Sequence, residues 1–297
     1  MALVATLISN PRAPAITEAL LREARQALGT EHPAHRLHGE IAADLLFDDA
    51  DAEARAAALR AALVGEPVDI VVQPAGRSRR KRLFLADMDS TMIGQECIDE
   101  LADYVGLKAE IAAITERAMR GEIAFEPALR ERVALLEGLP VGTIDEILAN
   151  RIALTPGGRT LVRTLRAHGT YTCLVSGGFT LFTGPIAQRI GFDEHRSNRL
   201  VLEGGTLAGR VEEPILGREA KLAALVELRE RLGLSREDTL AVGDGANDLA
   251  MLGEAGLGVA FRAKPAVAAA AHARIDHGDL TALLYIQGYT AAEMVEG

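Results

Sequence analysis

The spacing of apolar and polar positions changes several times along this chain, and each change marks an element. Residues 2–8 form an apolar run of strand length. Residues 15–28 set Leu20, Leu21 and Ala24 among charges at helical spacing, with Pro14 just ahead, where a first helical turn tolerates it. Residues 34–37 and 41–47 read as a strand pair, the Ala-rich stretch 51–63 as a helix, and 69–72 as a strand. The order β-α-β-β-α-β is that of an α+β ferredoxin-like unit over 1–75. No residue in it carries evident chemistry, so it reads as a packing or pairing surface before a regulatory pocket. Gly and a basic run then make 76–82 a linker, expected to be solvated and to have few contacts across it.

Residues 83–86 are an unbroken apolar run, the mark of a strand buried on both faces. Helical stretches follow at 96–105, 108–119, 125–136 and 141–152, separated by Gly and Pro. Short connections of that kind favour antiparallel neighbours, so an all-helical cap is expected over about 96–153. Next, Thr155 as N-cap and Pro156 open a helix that runs to 168. A strand at 171–175, a tight turn at Ser176, Gly177 and Gly178, and a helix at 179–190 come after it. A hairpin (199–202 with 207–211), a helix at 221–232, strands at 239–242 and 257–261 with a helix between, and two short helices finish the chain. Alternation of this kind predicts an α/β fold over 83–297: a doubly wound parallel sheet (Rossmann-like) with a helical-bundle cap.

The 297 residues suit more than one domain, and 48% hydrophobic with 25% charged residues suits a buried core. A formal charge of -10 argues against a nucleic-acid backbone as partner, though not against a small phosphate in a local basic pocket. Cys97 and Cys173 are far apart and without partner spacing, as expected in a reducing compartment. His168, His195, His272 and His277 show no metal spacing. The apolar runs fall short of membrane-spanning length and the start has no leader character, so a cytoplasmic protein without membrane contact is expected.

Chemistry gathers at strand ends, where open α/β sheets place their ligands. Asp87 and Asp89 follow the strand at 83–86, and on a regular strand both would point to one side. Their mutual repulsion leaves two uses: a metal site, or a nucleophile beside an acid/base. An Asp-Ser turn with no further role is the plain alternative. Ser176 ends a second strand, and Asp244, Asn247 and Asp248 end a third, with Lys221 near a helix start between them. Each is weak alone, and together in this order they are specific.

In that order, Asp87-Met88-Asp89-Ser90-Thr91, Ser176, Lys221 and Gly243-Asp244-Gly245-Ala246-Asn247-Asp248 resemble the motifs of the haloacid dehalogenase superfamily of phosphotransferases. Glu96, Phe125-Glu126 with Arg132, and Val175-Ser176-Gly177-Gly178-Phe179 narrow the likeness to its phosphoserine phosphatase branch, over roughly 83–290. An N-terminal ACT-like segment is usual in bacterial members. The resemblance implies hydrolysis of O-phosphoserine through an aspartyl-phosphate, as the last step of serine biosynthesis. It implies Asp87 as nucleophile and Asp89 as proton donor and acceptor. Mg²⁺ would be held by Asp87, Asp244 and the Asp89 carbonyl, with Asp248 orienting Lys221 or a metal-bound water. Ser176, Gly177, Lys221 and Asn247 would hold the phosphoryl group. Glu96 would take the serine ammonium and Arg132 its carboxylate, under an apolar lid of Phe125 and Met119. A homodimer through the N-terminal unit and L-serine as a feedback ligand go with the same likeness. Phosphoryl transfer to another alcohol and a phospho-accepting regulatory protein are the competing functions.

Overall fold

Two sheets organise the computed structural model, which describes residues 2–48, 51–76, 79–119 and 122–296. The first holds β1 (Ala2–Ser9), β2 (His35–His38), β3 (Ala42–Asp48) and β4 (Val68–Pro74), with helices α1 (Glu18–Leu28) and α2 (Ala52–Ala62). Its order is β2-β3-β1-β4, antiparallel throughout. Leu20, Leu21, Ala24 and Leu28 of α1 close one face of it over Ala5, Leu7 and Leu45. The helix begins at Glu18 because the Thr17 hydroxyl accepts the free Leu20 N–H at 3.2 Å, a cap that Pro14 cannot supply.

The second sheet is six-stranded and parallel, in the order β12-β11-β10-β5-β6-β7. Its strands are β5 (Leu83–Ala86), β6 (Tyr171–Phe179), β7 (Glu194–Asn198), β10 (Thr239–Gly243), β11 (Leu257–Phe261) and β12 (Ala273–Ile275). Phe84 and Ala86 of β5 enter the core on one face, Leu83 and Leu85 the core on the other. Such burial on both faces is why the run carries no polar position. The chain runs outward from β5 in both directions, so the carboxyl ends of β5, β6 and β10 meet at the reversal of strand order.

The cap consists of α3 (Cys97–Tyr104), α4 (Lys108–Met119), α5 (Phe125–Ala134) and α6 (Gly142–Asn150). Its two stems are stitched together: Ile93 bridges Leu154, Thr155 N–H donates to Met92 O at 3.0 Å and Gly94 N–H to Ala153 O at 3.1 Å. The hairpin of β8 (Leu200–Glu203) and β9 (Thr206–Val211) leans on the cap, with Gly138 N–H donating to Leu207 O. Helices α7 (Gly158–Ala167), α8 (Thr180–Ile190), α9 (Arg218–Arg231), α10 (Leu249–Glu254), α11 (Pro265–Ala270) and α12 (Ala282–Tyr285) cover the sheet.

Several sequence expectations need correction. The helix after the cap starts at Gly158, with Gly157 as N-cap, because Thr155 is held in the stem pairing. Residues 176–178 are no tight turn: β6 runs on to Phe179, and its register with β7 shifts between Val175 and Phe179. Strand β7, of sequence Glu-His-Arg-Ser-Asn, escaped notice because an edge strand tolerates charge, and β12 because it is only 3 residues long. Nor are all the described linker residues solvated: Gly76, Arg80 and Arg82 are exposed, but two others turn inward. Lys81 is buried with its ammonium on Glu237 O at 2.7 Å, and Arg79 pairs with Asp44 of β3 at 2.7 Å. Among the described residues, no helix is long and apolar enough to cross a membrane.

Candidate active site

Strand β5 ends at Ala86, and the chain turns at once through residues Met88–Met92, closed by the Ile93 N–H donating to Met88 O at 3.1 Å. Asp87 caps that turn, its Oδ1 accepting the Met88 N–H at 2.7 Å. Asp89 (φ -65°, ψ 137°) and Ser90 (φ 54°) leave helical geometry inside it. The two acids are therefore brought together by a turn, not by strand alternation as expected. Asp89 Oδ1 accepts the Cys97 N–H at 2.9 Å, and Oδ2 accepts the Ser176 hydroxyl at 3.2 Å. Ser176 is in turn fixed by Gly178, whose N–H donates to Oγ at 2.9 Å.

Lys221, on the first turn of α9 and 1% exposed, lies between two carboxylates. Its ammonium is 2.7 Å from Asp87 Oδ1 and 2.7 Å from Asp248 Oδ1. The second oxygen of Asp248 accepts the N–H groups of Asp244 and Gly245 at 3.1 and 3.0 Å. This carboxylate tucks so closely under β10 that a Cβ on Gly243 would stand 2.4 Å from it, which fixes glycine there. Asp244 points its Oδ1 at the Thr91 hydroxyl, 2.9 Å away. Burial works against the Lys221 ammonium, but Asp87 and Asp248 outweigh it and hold its pKa up. Burial raises the Asp89 carboxyl above the usual range, against the pull of the Cys97 amide.

Carboxylate oxygens of Asp87, Asp244 and Asp248 lie within 4.8 Å of one another. An all-oxygen cluster of this kind fits a hard divalent cation. Both oxygens of Asp248 are already engaged, one of them on Lys221, so Asp87 and Asp244 are the side chains left to face an ion.

Between sheet and cap is a cavity of about 380 Å³. Asp87, Asp89, Ser176, Gly177, Asp244 and Asn247 line its floor; Glu96, Phe125 and Arg132 line the cap side. Glu96 accepts the Ser90 hydroxyl at 2.6 Å, and burial, then the nearby Asp89, push its carboxyl up to about 7. Arg132 is anchored by Nε to Ala128 O at 3.2 Å, leaving part of its fork toward the cavity. Phe125 is 41% exposed, and its ring tip would be 3.6 Å from a Cβ on Gly177. Met119 ends α4; its side chain lies outside the described residues. Sequence reasoning missed Thr91, Asp99, Thr115 and Lys264. Thr91 stands within the motif already singled out, and Asp99 follows Glu96 at helical spacing. Thr115 and Lys264 reach the cavity only through tertiary folding.

A family model described as haloacid dehalogenase-like hydrolase matches residues 84–253. The chain belongs to this family. Among curated haloacid dehalogenase-like relatives, the phosphoserine phosphatase of Mycobacterium tuberculosis is 45% identical over 230 residues, 77% of this chain. The chain spans only 56% of that relative's length. The phosphoserine phosphatase of a Polaromonas species is 49% identical over 208 residues, 68% of this chain and 88% of the relative. In structure, a haloacid dehalogenase family hydrolase of Salmonella enterica serovar Typhi superposes with a TM-score of 0.84 at 28% identity, covering 96% of this chain and 98% of that one. The match over nearly the whole chain takes in the N-terminal sheet as well as the hydrolase unit.

Proposed function

We propose that this haloacid dehalogenase-like hydrolase cleaves O-phosphoserine to serine and phosphate, the closing step of serine biosynthesis. One arrangement supports the assignment: the carboxylates at the strand ends, Asp87 among them with Lys221 buried behind it, face Glu96 and Arg132 across a single cavity. The floor suits a phosphoryl group; the cap side suits an ammonium and a carboxylate. The relatives' phosphoserine specificity agrees with that pairing.

Asp87 Oδ2, free of donors among the described residues, attacks phosphorus while the serine oxygen departs, leaving an aspartyl-phosphate. Asp89, whose carboxyl burial raises above its ordinary range, gives a proton to the leaving alkoxide. It then takes one from the water that attacks the aspartyl-phosphate, restoring both carboxyl groups. The Ser176 hydroxyl, the Gly177 N–H and Asn247 on the cavity floor hold the transferring oxygens, with Lys221 beside Asp87 adding its charge. Asp87, Asp244 and the Asp89 carbonyl would hold Mg²⁺, whose charge offsets the repulsion between a carboxylate and a phosphate dianion. Glu96 and Arg132 orient the amino-acid end, Arg132 as a forked partner for the carboxylate. Phe125 and Met119 complete the lid.

Phosphate release from O-phosphoserine, with Mg²⁺ present and then chelated, tests the activity. Arg132→Ala tests the substrate: loss of a charge-assisted pair worth about 1.5–3 kcal/mol should raise KM roughly 10- to 100-fold for phosphoserine. Phosphoethanolamine, which lacks the carboxylate, should be hydrolysed with nearly unchanged KM. Equal losses on both would remove Arg132 from carboxylate recognition.

A further inference from the structure

We infer that Asp69, on β4 of the N-terminal sheet, is a positioning residue that sets the pose of the cap's stems. Its carboxylate is 5% exposed and docks into the loop after β12. Oδ1 accepts the N–H groups of Asp276 and His277 at 2.8 and 3.1 Å; Oδ2 accepts His277 at 3.2 Å and Gly278 at 2.7 Å. Three successive amides are thereby aimed at one side chain of the other unit. The loop then continues directly into the stems. Leu280 N–H donates to Pro156 O at 3.1 Å. Gly157, at φ +80°, lies so close that a Cβ there would be 2.7 Å from Thr281 N and 2.8 Å from Asp279 Oδ1. At the next residue a Cβ on Gly158 would meet both Leu280 Cδ1 and Met92 Cε at 3.2 Å. Met92 belongs to the turn that carries Asp89, and its carbonyl accepts the Thr155 N–H.

Packed elements thus run without a gap from Asp69, through residues 276–281, to the return stem at 153–157 and the outgoing stem at 92–94. Backbone amides held by a buried carboxylate give the loop a single resting position. Without it, the return stem loses the surface against which Pro156 and Gly157 are set. The cap would sample open poses more often, and substrate would bind less well. The kinetic part rests on the proposed function of the cap; the structural part does not.

Amide hydrogen exchange and steady-state kinetics on the full chain test this, comparing wild type with Asp69→Ala, Asp69→Asn and His38→Phe. His38→Phe removes another contact of the same seam, the 2.6 Å hydrogen bond between His38 Nδ1 and Tyr285 OH. Asp69→Ala should speed exchange at Gly94 and Thr155 by about tenfold, a local opening, and raise KM for phosphoserine more than it changes kcat. The Asp87 amide, bonded to Val242 O inside the sheet, should exchange as in wild type. Asp69→Asn, which keeps a carbonyl acceptor, should fall between, and it carries the test if the alanine variant does not fold. Stem amides that exchange at the wild-type rate in the Asp69 variants would overturn the inference. So would equal acceleration in His38→Phe, because any loosening of the seam would then suffice. A wild-type chain inactive on phosphoserine would sink the substrate assignment and leave the exchange comparison intact.

Discussion

The seam between the two sheets and the pocket at the strand ends each bury an aspartate, and they use it differently. In the seam, both oxygens of Asp69 are taken up by backbone N–H groups of residues 276–278. In the pocket, Asp87 spends one oxygen on Met88 N–H and the Lys221 ammonium and turns the other to the cavity. Burial raises the pKa of both carboxyls, and the opposing partners are amides for Asp69 but foremost the Lys221 ammonium for Asp87. A carboxylate whose lone pairs are all used can hold architecture and nothing more. One with an open oxygen beside a buried cation is available to a phosphorus centre. Buried charge alone does not mark a reactive group; the count of acceptor lone pairs left over does.

The contrast predicts that pocket substitutions remove the chemistry, whereas seam substitutions change stability or the pose of the cap and leave the chemistry in place. Asp87→Asn should abolish phosphate release, since an amide is a poor nucleophile, while the melting temperature stays near wild type. A variant that lost its fold instead would place Asp87 with Asp69. Asp89→Asn should slow turnover by roughly 10²–10⁴-fold, the usual size of a proton-transfer contribution. Calorimetry should still detect phosphoserine binding, and near wild-type turnover would take Asp89 out of the acid/base role. On the seam side, Asp44→Ala takes the carboxylate from Arg79, whose side chain is only 14% exposed and keeps neutral acceptors alone, the Ile286 and Tyr285 carbonyls and the Thr6 hydroxyl. Urea unfolding should report a loss of about 3 kcal/mol, with turnover per folded molecule kept.

The smallest effect concerns Glu96. Its folded pKa of about 7 stands above the ordinary 4.5, so between those values the folded chain holds a proton that the unfolded chain releases. That contribution to stability is present below about 4.5 and is lost as the pH rises through about 7. Ammonium binding runs the other way, because only the ionised carboxylate pairs with it. KM for phosphoserine should therefore rise modestly as the pH drops below about 7. Glu96→Gln should raise KM at neutral pH and flatten this dependence; an unchanged profile would assign it to another group.

Much of the molecule was legible from residue pattern because local physics governs it. The run Leu83–Ala86 has no polar position since both its faces are buried, and its end is where charge must collect. Helical period and Gly/Pro breaks gave the cap, and the family motifs singled out Asp87, Asp89, Ser176, Lys221 and Asp244 as the candidates. Tertiary structure decided the rest. The kinked turn at Met88–Met92, not strand alternation, brings Asp89 to Ser176. Lys264 and Thr115 reach the cavity from elements that no local pattern ties to it. The linker's basic residues looked solvated, yet Lys81 and Arg79 are taken into the seam by a carbonyl and a carboxylate distant in sequence. Asp69 looked like any strand aspartate, because its donors lie more than 200 residues away along the chain. Sequence pattern records what a residue's neighbours along the chain require; which distant partner satisfies a buried polar group is settled only when the elements pack.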